Sequence, residues 1–235
     1  MVLPLTTINV GRIPNNLNYD FLRTYTGKEG GFRGYKPLSM MSWLFRRMMV
    51  SITLLQYDHG LVRQVIDVLG AVVRDRSAQK HMEDVKDMAL FLDRFIDQMH
   101  HAKEERFLFP KAVELKAMKQ QDMDELVADH AAVRSLAKEI IAEVRREDME
   151  SFYRDAETMV RTMQAHVNRE EETVFPFMEE HLGEDADAFV YKQYEDYILK
   201  NFPPDFYATT EELATRLQDR ILGPNYYQSL KKPLR

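Results

Sequence analysis

Apolar residues recur at helical spacing over most of the chain. Between Ser39 and His181 they fall three, four or seven positions apart, and no β-type alternation of useful length interrupts them. Four helices follow from these stripes. The first runs from about Ser39 into the low 70s along Met48, Ile52, Leu55, Val62, Ile66 and Leu69. The second starts near Ser77, read as an N-cap, and carries Leu92, Ile96, Phe107 and Leu108. The third starts near Asp122 with Met123, Leu126, Val133, Ile140 and Val144. The fourth starts near Asp148 with Phe152, Met159, Met163 and Val174, and ends at Gly183, a residue suited to C′. Long amphipathic helices with short joins predict an all-α fold, an antiparallel up-down-up-down four-helix bundle.

Glycine and proline mark the flanks. Residues 1–38 hold five of the nine glycines and three of the nine prolines, so they read as an irregular N-terminal arm. Residues 39–183 form the bundle. Residues 184–235 hold six of the eleven tyrosines and two further short helices, which makes this tail a separate helical appendage. One helix runs through Phe189, Tyr191, Tyr194 and Ile198. The other is opened by a capping box, Thr209 with Glu212, and closed by Gly223. The tail is a candidate surface for a protein partner or for self-association.

Composition narrows the function. The 235 residues include no cysteine, which excludes a disulfide scaffold, a thiolate zinc site, an iron–sulfur cluster and a cysteine nucleophile. A net charge of −6 argues against non-specific nucleic-acid binding. The most apolar stretch, Met40 to Leu55, is broken by Arg46-Arg47 and falls short of the roughly 20 residues a membrane span needs. No basic and apolar leader pattern opens the chain, so a cytoplasmic protein is expected.

The chemistry lies in an internal duplication. The first helix contains Asp58-His59-Gly60-Leu61-Val62-Arg63 and the third Asp129-His130-Ala131-Ala132-Val133-Arg134. The second contains His100-His101-Ala102-Lys103-Glu104-Glu105, leading to Phe109-Pro110. The fourth contains His166-Val167-Asn168-Arg169-Glu170-Glu171, leading to Phe175-Pro176. A histidine and a glutamate four residues apart differ by about 40° around a helix, so both face one cavity. Such a pair can grip one metal, and its carboxylate can bridge to a second. Imidazole with carboxylate suits iron and also accepts zinc or manganese.

The register has two choices, because His101 and Glu105 are also four apart. Alignment on the shared proline matches Glu104 to Glu170, and the apolar stripe Leu92, Ile96, His100, Glu104, Phe107 runs through the same pair. His101 then sits about 100° from His100, at the flank of the buried face. A single histidine on an apolar stripe is commonly a hydrogen-bonded core residue. Four histidines and two glutamates in duplicated order are not, because two unpartnered core carboxylates would cost roughly several kcal/mol each. Glu105, Glu171 and Glu172 read as a solvated face, and Asp58 and Asp129 as solvated rather than as acceptors for the histidines. His81 reads as solvated and His181 as a complement to its helix C-terminus. Tyr57 either reaches the pocket or merely packs.

These residues resemble the hemerythrin-like (HHE cation-binding) proteins, over about Ser39 to Gly183. The resemblance implies a non-haem di-iron centre, oxo- or hydroxo-bridged, with His59, His100, Glu104, His130, His166 and Glu170 as ligands. Oxygen-carrying members take a fifth histidine from one turn further along the third helix, where this chain has Arg134. His101 is the substitute, since some members use the residue beside the helix-two histidine, and the departure counts against reversible oxygen carriage. Such a set saturates one iron and leaves an open position on the other. The implied function is binding or sensing of oxygen, nitric oxide or peroxide. Two alternatives stand beside it: a di-iron peroxidase or catalase-like enzyme, and a metal-stabilised scaffold or iron-responsive interaction protein. The Glu-x-x-His of ferritin-type sites is absent, as are Gly-x-Ser-x-Gly and a Walker lysine loop.

Overall fold

The computed structural model describes residues 49–224 and 226. The predicted arm, and the first ten residues of the predicted first helix, lie outside these described residues. Six helices are present among them and no strand. Helix α1 is Val50–Arg74. A short 3₁₀ turn, Ala78–His81, leads into α2, which spans 82–114. Helix α3 is Gln120–Arg146, α4 spans 149–181, α5 is Glu184–Asn201 and α6 is Phe206–Ile221. No helix among the described residues is long and apolar enough to cross a membrane.

The predicted stripes are the buried faces. Ile52, Leu55, Val62, Ile66 and Leu69 of α1 are all buried, as are Leu126, Val133, Ile140 and Val144 of α3. Helix α1 packs on α4 and α2, and α3 packs on the same two, so the four close into a ring. Their side chains form two apolar layers. One holds Val62, Val65, Met99, Val133 and Met163. The other holds Leu55, Leu108, Phe109, Leu126 and Phe175. His59, His100, His130 and His166 fall in sequence between members of the two layers, and all four are buried. A polar layer inside an apolar core costs free energy unless its atoms find partners.

Helix starts differ from the sequence reading in two places. Ser77 makes no side-chain cap, and the chain takes one 3₁₀ turn before α2 begins at Met82. Thr209 is not an N-cap either: α6 begins at Phe206, and the Thr209 hydroxyl donates to the carbonyls of Asp205 and Phe206 inside the first turn. Asp148 does cap α4, accepting from Ser151 N at 3.3 Å. Helices α5 and α6 both pack against α1. The carboxylate of Asp187 on α5 accepts from the Val50 and Ser51 amides at 2.8 and 2.9 Å, so an acidic group from α5 closes the positive end of α1.

Candidate metal centre

Two widened turns set the geometry. Each Phe-Pro pair follows a short π-helical stretch, Glu104–Leu108 in α2 and Glu170–Val174 in α4. Proline has no N–H, so the α-helical ladder is interrupted there. The amides of Phe109 and Phe175 instead reach back five residues, to the carbonyls of Glu104 and Glu170. Helix α2 has a further π-helical stretch, Leu92–His101, whereas the equivalent part of α4 is regular α-helix. A wider turn advances each residue through a smaller angle. His100 and His101 therefore both point into the bundle, and neither has any exposed surface.

The inward atoms meet around two glutamates. Oε2 of Glu170 lies 3.2 Å from His59 Nε2 and 3.3 Å from His166 Nε2. Oε2 of Glu104 lies 3.6 Å from His100 Nε2 and 3.5 Å from His130 Nε2. Each carboxylate thus spans one histidine from each half of the duplication. Two groups of possible metal ligands result, His101, Glu104, His130, His166 and His59, His100, Glu104, Glu170, with atoms in each within 4.8 Å of one another.

The duplication extends to an outer ring of carboxylates. Glu171 stands 2.9 Å from His59 Nδ1 and Glu105 stands 3.0 Å from His130 Nδ1. Asp58 stands 3.2 Å from His100 Nδ1, and Asp129 stands 3.7 Å from His166 Nδ1. Arginines hold the two glutamates from outside, Arg63 on Glu171 at 2.8 Å and Arg134 on Glu105 at 3.0 Å. An ionised carboxylate only accepts, so at His59, His100 and His130 it fixes the proton on Nδ1 and leaves Nε2 free as a donor atom for a metal, whereas Asp129 lies beyond hydrogen-bond distance of His166.

The hemerythrin HHE cation binding domain model matches residues 50–178, more than half of the chain. The chain belongs to the hemerythrin HHE cation-binding family. No curated protein and no solved structure matches it.

The HHE domain's central atoms fit a cation. Among the described residues, Nε2 of His59 and of His100, both ring nitrogens of His101, and both carboxylate oxygens of Glu104 and Glu170 are buried without a hydrogen-bond partner. Burial, then the charge of Glu170, pushes the Glu104 carboxyl well above its usual range. Burial opposes ionisation of Glu170 too, but His166 and His59 outweigh it and hold Glu170 well below that range. Burial keeps His101 neutral and brings His100 down to about 4. His166 goes the other way, up to about 9, because Glu170 and Asp129 outweigh its burial. Without a metal, protons on Glu104 and His166 offset the buried carboxylate charge, a role that a bound cation would take over.

The structure brings all seven sequence-predicted residues together. Three readings of neighbouring residues change, those of Glu105, Glu171 and Asp58. Glu105 and Glu171 are not a solvated face but the Nδ1 partners of His130 and His59; Glu172 is exposed as expected. Asp58 is completely buried, whereas Asp129 has a side chain 42% exposed. Tyr57 lies off the cluster and donates to Glu211 on α6. Lys103, Tyr207 and Tyr194 were not singled out from the sequence. Lys103 has no exposed surface and donates to Asp58 and, at 3.1 Å, to the Tyr207 hydroxyl. Tyr194 is buried over Lys103, its hydroxyl without a hydrogen-bond partner.

Proposed function

We propose that the protein holds two iron ions at the centre of an antiparallel up-down-up-down bundle, residues 39–183, with 184–235 as its helical appendage. Glu104 and Glu170 would hold the pair, with His101, His130 and His166 as ligands toward one ion and His59 and His100 toward the other. The function is to bind or sense oxygen or another small oxidant, nitric oxide or peroxide, in the cytoplasm. The observation that carries this reading is the set of orphaned inward atoms on His59, His100, His101, Glu104 and Glu170. A mixed imidazole and carboxylate set with no thiolate favours iron.

Bound there, an iron pair would supply electron storage and a Lewis-acidic point for a small molecule. The chain supplies everything else. Glu105, Glu171 and Asp58 keep the Nδ1 proton on His130, His59 and His100. The apolar layers above and below exclude bulk water.

Metal analysis with an optical spectrum tests this reading. Anaerobic iron loading followed by air should give two irons per chain and an oxo-to-iron charge-transfer band. One iron or fewer per chain overturns it. Sustained oxygen release on adding peroxide would replace sensing with a catalase-like activity.

A further inference from the structure

The duplicated site is symmetric in its ligands and asymmetric in what stands behind them. Asp58 and Asp129 occupy equivalent places in the two halves, as do Lys103 and Arg169. Asp129 is half exposed and makes one long contact to its histidine. Its neighbour Arg169 turns outward to Glu125 and Asp122. Asp58 is enclosed and receives three donors. His100 Nδ1 and the Lys103 ammonium share Oδ2, and the Tyr207 hydroxyl donates to Oδ1 at 3.0 Å. Lys103 closes the circuit by donating to the Tyr207 oxygen.

Tyr207 lies on α6, beyond residue 178 where the family match ends. An ammonium and a carboxylate buried together cost desolvation that their attraction barely repays. Their worth is directional: the carboxylate cannot rotate away from His100. Resting on the two-iron reading above, we infer that Tyr207 is a positioning residue of the metal centre, acting through Asp58 on His100. Helix α6 is then part of the metal site, not only an appendage. The asymmetry is confined to one pair of ligands, His100 with its enclosed aspartate and His166 with a solvent-exposed one.

Tying α6 to α1 is the rival role for the same hydroxyl, and Tyr57 provides the control. Its hydroxyl also joins α1 to α6, but it donates to Glu211 and not to the Asp58 carboxylate. The test loads the full chain with iron and follows metal release to a chelator for wild type, Tyr207→Phe, Tyr57→Phe and Asp58→Asn. In Tyr207→Phe one iron per chain should leave about tenfold faster while the other keeps its wild-type rate. Asp58→Asn should show the same selective loss, larger. Tyr57→Phe should release both irons at wild-type rates. In the metal-free protein, imidazole ¹⁵N resonances should show His100 protonated on Nδ1 in wild type and Tyr57→Phe, and mixed between tautomers in Tyr207→Phe. Wild-type release from Tyr207→Phe, or equal effects of Tyr207→Phe and Tyr57→Phe, overturns the inference and leaves the two-iron reading intact. If Tyr207→Phe does not fold, unchanged release from Asp58→Asn overturns it instead. A wild-type chain holding fewer than two irons fails the two-iron reading itself.

Discussion

Glu105 faces His130 from outside the cluster, 3.0 Å from Nδ1, so that Nε2 of the same ring points inward. Two adjacent glutamates on α2 therefore do different work: Glu104 lies among the inward atoms, and Glu105 orients a histidine of α3. Glu170 and Glu171 repeat the division in α4 and α1. Replacing Glu105 or Glu171 by Gln keeps the shape and weakens acceptance from Nδ1. Each substitution should weaken iron binding about 10- to 100-fold without unfolding the chain. A titration against a competing chelator gives the affinity, and wild-type values in both variants would return these residues to the solvated face.

The inward glutamates should behave more drastically. Glu104 approaches histidines of both halves, His100 and His130, and Glu170 does the same with His59 and His166. Glu104→Ala and Glu170→Ala should each abolish binding of the pair, leaving at most one iron per chain. Retention of two irons in either variant would show that its carboxylate is not shared.

Iron binding should depend on pH in a definite direction. His166 holds its proton up to about pH 9 in the metal-free protein, and a ligating imidazole must lose it. Below about pH 9 the metal competes with that proton, and with the one burial keeps on Glu104, so apparent affinity should rise with pH by at least about tenfold per unit wherever His166 is protonated. Calorimetry in buffers of different ionisation enthalpy counts the protons. Release of none at pH 7 would contradict the raised value.

Stability of the metal-free protein carries a second pH signature, far from the cluster. Burial, then the neighbouring Asp155, pushes the Glu143 carboxyl up to about 7. Between about pH 4.5 and 7 the unfolded chain ionises this group while the folded protein retains the proton. Stability therefore falls as pH rises through that window. Glu143→Gln removes the penalty and keeps a donor for Asp155. The variant should be more stable than wild type at pH 8 by roughly 1–3 kcal/mol, and the gain should vanish near pH 4.5. Chemical denaturation at the two pH values checks it.

Much of this was legible in the residues alone, and the exceptions share a cause. The apolar stripes, the duplicated motif and the Glu104 register all rest on spacing within one helix, which local geometry dictates. Pro110 and Pro176 served for alignment, but their effect on the turns around Glu104 and Glu170 is a property of the hydrogen-bond ladder rather than of side-chain period. Asp58 and Asp129 share the same motif, each followed by a histidine and, three residues further on, by Val-Arg, yet have opposite surroundings in space. What separates them is Lys103 in place of Arg169, and a hydroxyl from Tyr207, 149 residues away. No local pattern encodes a contact at that separation. Tyrosine enrichment marked the tail as special, but pointed to a partner surface rather than to the metal layer.

His101 is the ligand that the duplication does not supply, since its equivalent in α4 is Val167. Its ring stacks on His130 with centroids 3.8 Å apart and meets His166 edge-on at 5.5 Å. Among the described residues neither of its nitrogens has a hydrogen bond, unlike His59, His100 and His130, whose Nδ1 meets a carboxylate, and His166, whose Nε2 meets His130. A neutral imidazole held this way gains nothing from burial unless a nitrogen meets a cation. The π-helical stretch Leu92–His101, absent from α4, is what turns it inward. His101→Ala should keep the fold and weaken iron binding about 10- to 100-fold, with the loss confined to the ion shared with His130 and His166. It should also open a second exchangeable position, read as an altered spectrum on adding azide. Wild-type affinity together with an unchanged azide spectrum would remove His101 from the metal centre and leave that position short of one nitrogen.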